Sequence, residues 1–344
     1  MKSRPPVYRG IPGASAADAF PPRLPHPIGW YCPAFSQEIR RGQILTRQLA
    51  DEDIVLYRTR KGTVRATRPY CPHLGAHLGG GKVKGEELIC PFHHFAFNTD
   101  GTCTATPYYG QQVPKLSAPM MPVREQAGLI MVWYHPDGTP PDWEVPPLPD
   151  HRTHKPVLRE MSFGGYPQDL PENALDYGHA PSLHNFTAER VEEKDLGPIH
   201  ELRLLLRKTI AGRALPPMPI YLTQYGLGIL RTEADLTALG FNILIWTCPV
   251  PTKGARMTLR AAVTTRVGQR DSAPRRALGR LVSYAFMRFV IVTIRQDAGV
   301  WNHRRYTAPP HLAQGDGPIG PARRWAEKFY PKQPQTAPQP EDLP

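Results

Sequence analysis

Cysteine is scarce in this chain: Cys32, Cys71, Cys90, Cys103 and Cys248 are the only five among 344 residues. An odd count excludes a fully paired disulfide scaffold and directs attention to any thiol with a histidine nearby. No export leader is expected, because Met1 to Pro6 runs into no apolar stretch. Long apolar runs are also missing. Ala214 to Leu230 and Leu236 to Thr252 are uncharged but broken by prolines and polar residues, and Leu281 to Ile294 is cut by Arg288. None reaches the ~20 apolar residues of a bilayer span, so no transmembrane segment is expected. A dinucleotide fingerprint is lacking too: Gly226-Leu-Gly228 has Arg231 where a third glycine belongs. Basic residues outnumber acidic ones, 42 to 30, for a net charge of +12. They form no basic run and no zinc-finger spacing, which argues against a dedicated nucleic-acid reader. A docking face for an acidic electron carrier remains a use for that charge.

Proline is abundant, 41 of 344 residues or about 12% against a usual ~5%, and its clustering marks the organisation. Residues 1–27 read as an extended arm, 141–155 as a Pro-rich linker and 331–344 as a flexible tail. Between them, 28–140 holds short β-rich runs (Asp53–Thr59, Thr63–Thr67, Glu87–Cys90, Leu129–Tyr134) separated by Gly turns, the pattern of a small antiparallel β domain. Residues 156–330 mix strands with a helix that starts near Asp271-Ser272-Ala-Pro274. Leu204–Ile210, Ile220–Leu222, Gly228–Thr232, Phe241–Thr247 and Met257–Thr265 suit strands. The helix is predicted to bury Leu278, Leu281, Val282, Ala285, Phe286, Phe289, Val290 and Ile294. The expected fold class is α+β.

Two constellations carry chemistry. Cys71-Pro-His73 and Cys90-Pro-Phe-His93 form a C-x-H-x16-C-x2-H pattern, two loops each offering one thiolate and one imidazole. Zinc accepts two Cys and two His, but zinc fingers group Cys with Cys and His with His. A Rieske [2Fe–2S] cluster needs two thiolates on one iron and two imidazoles on the other, which mixed loops supply. Leu78-Gly79-Gly80-Gly81 is no phosphate cradle, since no G-K-[ST] follows. His77 and His94 read as packing or surface residues, and Cys32 and Cys103 as small buried hydrophobes. The second constellation is Asp176-Tyr-Gly-His179-Ala-Pro181-Ser-Leu-His184. Asp176 and His179, three apart, are predicted to share a helix face, with Pro181 turning His184 back toward them. Two imidazoles and a carboxylate make the facial triad of O2-activating iron(II) sites, and spacing alone permits Asp176 as the carboxylate.

Cys71-Pro-His-Leu-Gly-Ala-His77, Cys90-Pro-Phe-His-His-Phe95 and the D-x2-H-x4-H of 176–184 resemble the oxygenase subunit of the Rieske non-haem iron oxygenases. That resemblance implies an N-terminal all-β Rieske domain and a C-terminal helix-grip-like antiparallel sheet with helices holding a mononuclear iron. It implies Cys71, His73, Cys90 and His93 as cluster ligands, with His94 standing where the family often has glycine, and Pro107 in a third loop that shields the cluster. It implies His179, His184 and the distant Asp297 as iron ligands. Asp176 then becomes a bridge that passes electrons between the cluster of one subunit and the iron of the next in a homotrimer. Electrons would come from NAD(P)H through a separate flavin reductase, a ferredoxin or both, with Lys82, Lys84, Arg65 and Arg68 as docking candidates and O2 as co-substrate. Gly165 to His179, Val300-Trp-Asn-His-Arg-Arg-Tyr306, Gly315-Asp-Gly-Pro-Ile319 and Arg323 to Tyr330 look like cholesterol 7-desaturases of the Neverland group, and the last three like bacterial 3-ketosteroid 9α-hydroxylases. The implied substrate is a hydrophobic sterol or steroid, to be hydroxylated, desaturated or demethylated. Phe241, Ile243, Ile245, Phe286 and Phe289 could line a tunnel for it or simply form core. The alternatives are O-demethylation or oxygenation of an aromatic or alkaloid-like substrate, and a Rieske electron carrier without catalysis, which would not need residues 173–184. Animal members have an N-terminal membrane segment that is not seen here. The expectation is a soluble, cytoplasmic, bacterial-type protein with peripheral membrane association left open.

Overall fold

The structure is a computed structural model that describes residues 24–108, 110–150, 154–210, 213–214, 216–236, 240–268 and 272–331. Most of the Pro-rich arm and nearly all of the tail lie outside them, as do residues 151–153 of the linker and Asp271.

The first half is built from eleven short strands: β1 (Gly29–Phe35), β2 (Ile44–Leu49), β3 (Glu52–Arg58), β4 (Val64–Thr67), β5 (Lys82–Lys84), β6 (Glu87–Ile89), β7 (Ala96–Phe97), β8 (Cys103–Ala105), β9 (Met120–Met121), β10 (Val123–Gln126) and β11 (Leu129–Tyr134). They make three small sheets ordered β1-β11-β10, β2-β3-β4-β9 and β5-β6-β7-β8. The second half forms one antiparallel sheet: β12 (Val157–Gly164), β13 (Phe186–Asp195), β14 (Ile199–Ile210), β15 (Arg213–Ala214), β16 (Met218–Tyr225), β17 (Ile229–Leu236), β18 (Phe241–Thr252) and β19 (Arg256–Val267). Its order is β12-β19-β18-β17-β16-β14-β13, with β15 paired to β14. Among the described residues three helices accompany it: α1 (Asp169–Leu175), α2 (Ala273–Trp301) and α3 (Ile319–Glu327). This is the α+β arrangement expected, although β12 and β13 escaped the sequence reading. β13 is an edge strand rich in charge, Phe-Thr-Ala-Glu-Arg-Val-Glu-Glu-Lys-Asp, and gives no apolar alternation to read.

The large sheet is apolar on both faces. One face, with Leu202, Leu204, Ile220, Leu222, Ile243 and Val263, packs under α2 through Met287 and Val290. The other, with Tyr225, Ile229, Leu244, Trp246, Cys248 and Ala262, packs on Trp30, Cys32, Phe35, Leu129, Met131 and Trp133 of the first half. The two halves therefore share a core. Contact is closest at Gly228, where a Cβ would stand 2.2 Å from the Trp30 carbonyl oxygen, so only glycine fits there. The Pro-rich joint is not a free linker, because Val145 and Leu148 belong to this shared core and the Trp143 carbonyl accepts from Trp30 Nε1 at 3.1 Å. Apolar residues between its prolines give it a surface to bury.

α2 starts after Ser272 with Pro274 in its first turn, as expected, but the face it turns to the sheet is rotated from the expected one, keeping Val290, Phe286 and Ile294. Gly279, Ser283, Met287, Val290, Asp297, Ala298 and Trp301 are buried, whereas Leu278, Leu281 and Phe289 are exposed. Small residues decide this. A Cβ at Gly279 would lie 2.6 Å from the Thr265 carbonyl, and Ser283 Oγ donates to Thr265 Oγ1 at 2.9 Å, so this face comes closest to β19. Of the five tunnel candidates, Ile243 is wholly buried core and Ile245 and Phe286 pack against it. Phe241 is half-buried, and Phe289 lies outside. Among the described residues α2 is the one helix long and apolar enough to cross a membrane by length and composition, although it lies along the sheet here.

An ion cluster clamps the two halves. Arg260 on β19, almost wholly buried, reaches both Glu38 of the first half and Glu160 on β12. Burial alone would raise the Glu38 carboxyl, but Arg260, the Phe35 amide and Arg47 together hold it below its ordinary value. A depressed folded value stabilises the fold at neutral pH, and that contribution disappears as pH falls through it. Glu38→Gln should lower the melting temperature at pH 7 and converge with the unmodified protein in acid. Arg260→Ala should cost more, about 3 kcal/mol, because it strips Glu160 of its partner and leaves Glu38 with Arg47 alone. Thermal melts across pH check both.

Candidate metal centres

The two Cys–His loops stand at one end of the β5–β8 sheet. Each is closed by its own backbone: Cys71 N donates to Ala76 O and Cys90 N to Phe95 O, both at 2.9 Å. Cys71 and Cys90 are buried and within hydrogen-bonding reach of each other, whereas His73 and His93 are half-buried. The imidazoles meet edge to face with centroids 4.9 Å apart, and His73 stacks on Phe95 at 4.3 Å. Burial and the neighbouring Cys90 push the Cys71 thiol up to about 11 against the pull of the His73 amide, so a cationic metal is what would favour the thiolate. Thiols paired inside and imidazoles paired outside fit a two-iron cluster. A single zinc ion would need all four ligand atoms around one point. Among the described residues only one His/Cys/Asp/Glu group converges that way, and it is elsewhere.

The surrounding residues sort themselves. His94 is exposed with φ +53°, a left-handed conformation that accounts for glycine being common there in the family it resembles. His77 caps the Leu78–Gly80 turn, its Nδ1 accepting from Gly79 N at 3.1 Å, and is not turned to the cluster. Cys103 is buried in this domain's core, as expected. Pro107 is exposed, and it is its neighbour Tyr108 that packs edge-on against Phe95 at 6.0 Å. Tyr70, Leu74 and Phe92, each at least 60% exposed, form an apolar rim around the histidines. Of the docking candidates, Lys82 and Lys84 point outward from β5. Arg65 is taken up by the Thr99 and Val64 carbonyls, and Arg68 by Glu52.

The converging group is His179, His184 and Asp297, whose ligand atoms all lie within 4.8 Å of one another. The chain does not bring Asp176 and His179 together on a helix face. α1 ends at Asp176, whose extended backbone (ψ 94°) leaves the helix, and Asp176 Oδ1 then accepts from the amides of Gly178 and His179, both at 3.1 Å. A single π-helical turn, Ala180–His184, follows with Pro181 at its start and Asn185 left-handed at its end. The wider π spacing sets His179 and His184 edge to face, centroids 5.2 Å apart. Asp297 arrives from α2, side chain 2% exposed.

Each imidazole is oriented through its Nδ1. His179 Nδ1 donates to the Asp176 carbonyl oxygen at 2.5 Å, and His184 Nδ1 to Gln296 Oε1 at 2.9 Å. This leaves the Nε2 of each as the nitrogen turned toward the common point, the usual arrangement at histidine-bound metals. His184 Nε2 and Asp297 Oδ1 lie 3.0 Å apart, yet the angle gives neither a hydrogen bond, and both are buried. Two orphaned buried polar atoms facing one point fit a metal ion. Gln296 was not foreseen, since nothing in sequence ties it to a histidine 112 positions away.

A buried network positions this turn. Asp169 and Glu172 on α1 pair with Arg304, just beyond α2, and Arg323 on α3 grips Glu172 at 2.9 and 3.1 Å. Gly317 packs so closely on the Leu175 carbonyl, with a Cβ placed 2.2 Å away, that a side chain there would push α1 aside. The adjacent Asp316 carbonyl accepts from Tyr177 N at 3.2 Å.

Comparison with known proteins bears on both centres. Residues 29–120 match the Rieske [2Fe-2S] domain, and residues 132–330, more than half of the chain, match the 3-ketosteroid 9alpha-hydroxylase C-terminal domain. The chain belongs to the Rieske oxygenases. It is 28% identical over 337 residues to cholesterol 7-desaturase of Xenopus laevis, covering 89% of this chain and 72% of the relative. It is 25% identical over 335 residues to the oxygenase component of 3-ketosteroid-9-alpha-monooxygenase of Mycobacterium tuberculosis, covering 91% and 84%. The fold of this oxygenase is that of Pseudomonas putida CBB5 NdmA with caffeine (TM-score 0.67, 18% identity, 87% and 89% covered) and of dicamba monooxygenase with non-heme iron and dicamba (0.59, 19%, 87% and 95%). The oxygenase is an oxidoreductase whose cofactors are a Rieske [2Fe–2S] cluster and a mononuclear iron, with O2 as co-substrate. It works as one component of a multicomponent system, with separate electron-donor proteins.

Proposed function

We propose that this oxygenase acts on a sterol or steroid ring system, holding its cluster through Cys71, His73, Cys90 and His93 and its iron through His179, His184 and Asp297. The observation that carries the ligand assignment is the buried pair His184 Nε2 and Asp297 Oδ1, oriented toward one point without a hydrogen bond. The substrate class rests on the match of 132–330 and on relatives named for cholesterol and 3-ketosteroids. When bound, the two metal groups supply reduction and activation of O2 for attack on an unactivated C–H bond. The chain's own residues orient those ligands: Gln296 and the Asp176 carbonyl fix the imidazoles, and the α1 network fixes Asp176.

The Asp176 carboxylate is partly exposed, and Leu74 and Phe92 beside His73 and His93 are exposed. We read these as two faces that meet between subunits of a homotrimer, with Asp176 bridging the cluster of one and the iron of the next. The donor is a cytoplasmic ferredoxin or flavin reductase fed by NAD(P)H, and Lys82 and Lys84 are its docking cations. Lys82→Ala with Lys84→Ala should slow reduction by the donor severalfold at low salt and little at high salt. Stopped-flow bleaching of the cluster reads this. The substrate test is a panel of sterols and 3-ketosteroids with a generic reductase, read by mass spectrometry. Loss of two hydrogens marks desaturation, and gain of one oxygen marks hydroxylation. Turnover confined to methoxylated aromatics or N-methyl heterocycles would overturn the steroid reading.

A further inference from the structure

α2 has a second face that lies largely outside the sheet's core, touching it only through Phe289. Leu278, Leu281, Ala285, Phe289 and Val292 follow one another at steps of three and four and lie on one side of the helix. Leu281 is 66% exposed and Val292 50%, and Tyr284 borders them at 45%. The stripe runs about 21 Å along the helix at 1.5 Å per residue. Only 22% of the most apolar part of α2 is buried, which is little for the central helix of a domain. One flank is basic, with Arg288 and Arg295 beside the stripe, and the single acid of α2, Asp297, faces inward. Beside the stripe, Arg288, Arg295 and Arg159 of edge strand β12 surround a groove of about 400 Å³ floored by Met287, Ile291 and Val292. Neither Arg288 nor Arg295 has an acidic partner among the described residues.

We propose that this face of α2 seats the oxygenase on an anionic lipid bilayer, with the leucine–valine stripe in the acyl boundary and the arginines on lipid phosphates. The composition is that of an interfacial helix: apolar on one side, arginine-flanked and free of exposed acids. An acidic protein could satisfy the arginines but not a long flat apolar stripe open on its whole length, whereas the headgroup boundary satisfies both. α2 does not span. Its opposite face holds Asp297 beside His184 and is packed on β12 and β19, so it lies in the membrane plane. Seating also gives the stripe a use. Phe289 contacts Phe186 with centroids 6.5 Å apart, and Phe186 stacks on His184 at 5.2 Å, so an apolar path leads from the lipid face to the iron ligands. That last step alone rests on the hydrophobic-substrate reading. The docking itself does not.

The test is co-sedimentation of the metal-loaded protein with vesicles of phosphatidylcholine alone and of phosphatidylcholine rich in phosphatidylglycerol. The unmodified protein should pellet with the anionic vesicles, and high salt should release most of it. Arg288→Gln with Arg295→Gln should weaken partitioning roughly thirty-fold, and Leu281→Gln with Val292→Gln should weaken it at least as much. All variants should keep their iron content and visible spectrum. Failure of the unmodified protein to bind, or equal binding by both double variants, overturns the proposal. So does a changed sedimentation coefficient of the lipid-free variants, which would mean that the stripe covers a second copy of the chain. Steroid turnover in detergent-free buffer is measured separately, so failure of one reading leaves the other standing.

Discussion

Asp297→Asn should remove the mononuclear iron and abolish turnover while the cluster spectrum stays unchanged. The side chain is 2% exposed and stands 3.0 Å from His184 Nε2. A neutral amide of the same shape fills the site without a cavity, but it is a poor ligand for a hard divalent ion and forfeits the charge that offsets the metal. Iron analysis should fall from about three to about two atoms per chain, as expected for one cluster plus one single-iron site. His179→Ala with His184→Ala should do the same by a different chemical route. If both variants keep the full iron content, the second metal centre is misassigned, and what remains is an electron carrier.

Asp176→Asn should keep both metals and lower turnover, by about a hundredfold. The Asp176 backbone carbonyl, not its side chain, accepts from His179 Nδ1 at 2.5 Å, so His179 stays oriented in the variant. The carboxylate accepts the Gly178 and His179 amides through Oδ1 alone, and an Asn Oδ1 can do the same. What the substitution removes is the second carboxylate oxygen and the negative charge, on a side chain 35% exposed and open to a neighbour. Single-turnover measurements separate the outcomes. Slow loss of the reduced-cluster signal with substrate and O2 present supports a bridge between centres. Normal decay of that signal with slow product formation refutes it.

Legibility from sequence followed the range of the physics. The two Cys–His loops were legible because two thiolates and two imidazoles at tight local spacing need no tertiary information. Asp297 was reachable only through family resemblance, since its partner His184 is more than a hundred residues away in the chain. Gln296 was not, because a glutamine beside an aspartate carries no signal until the histidine it orients is in view. The local turn was misread. Three-residue spacing suggests a helix, but Asp176 caps its own loop, and the His179–His184 spacing is served by a π turn. α2 was recognised with its buried face only partly right, Val290, Phe286 and Ile294 but not Leu278, Leu281 or Phe289, because it is apolar on two sides and Gly279 and Ser283 decide which side approaches β19. The charged edge strand β13 has no apolar alternation to reveal it.

The tight meeting of Gly228 with the Trp30 carbonyl, inside a core drawn from both halves, has a consequence for recombination. The two halves are not interchangeable cartridges. A catalytic half with any residue but glycine at the position of Gly228 would place a side chain where only a hydrogen fits, so laboratory hybrids should fold only when that glycine and the backbone facing it are both kept.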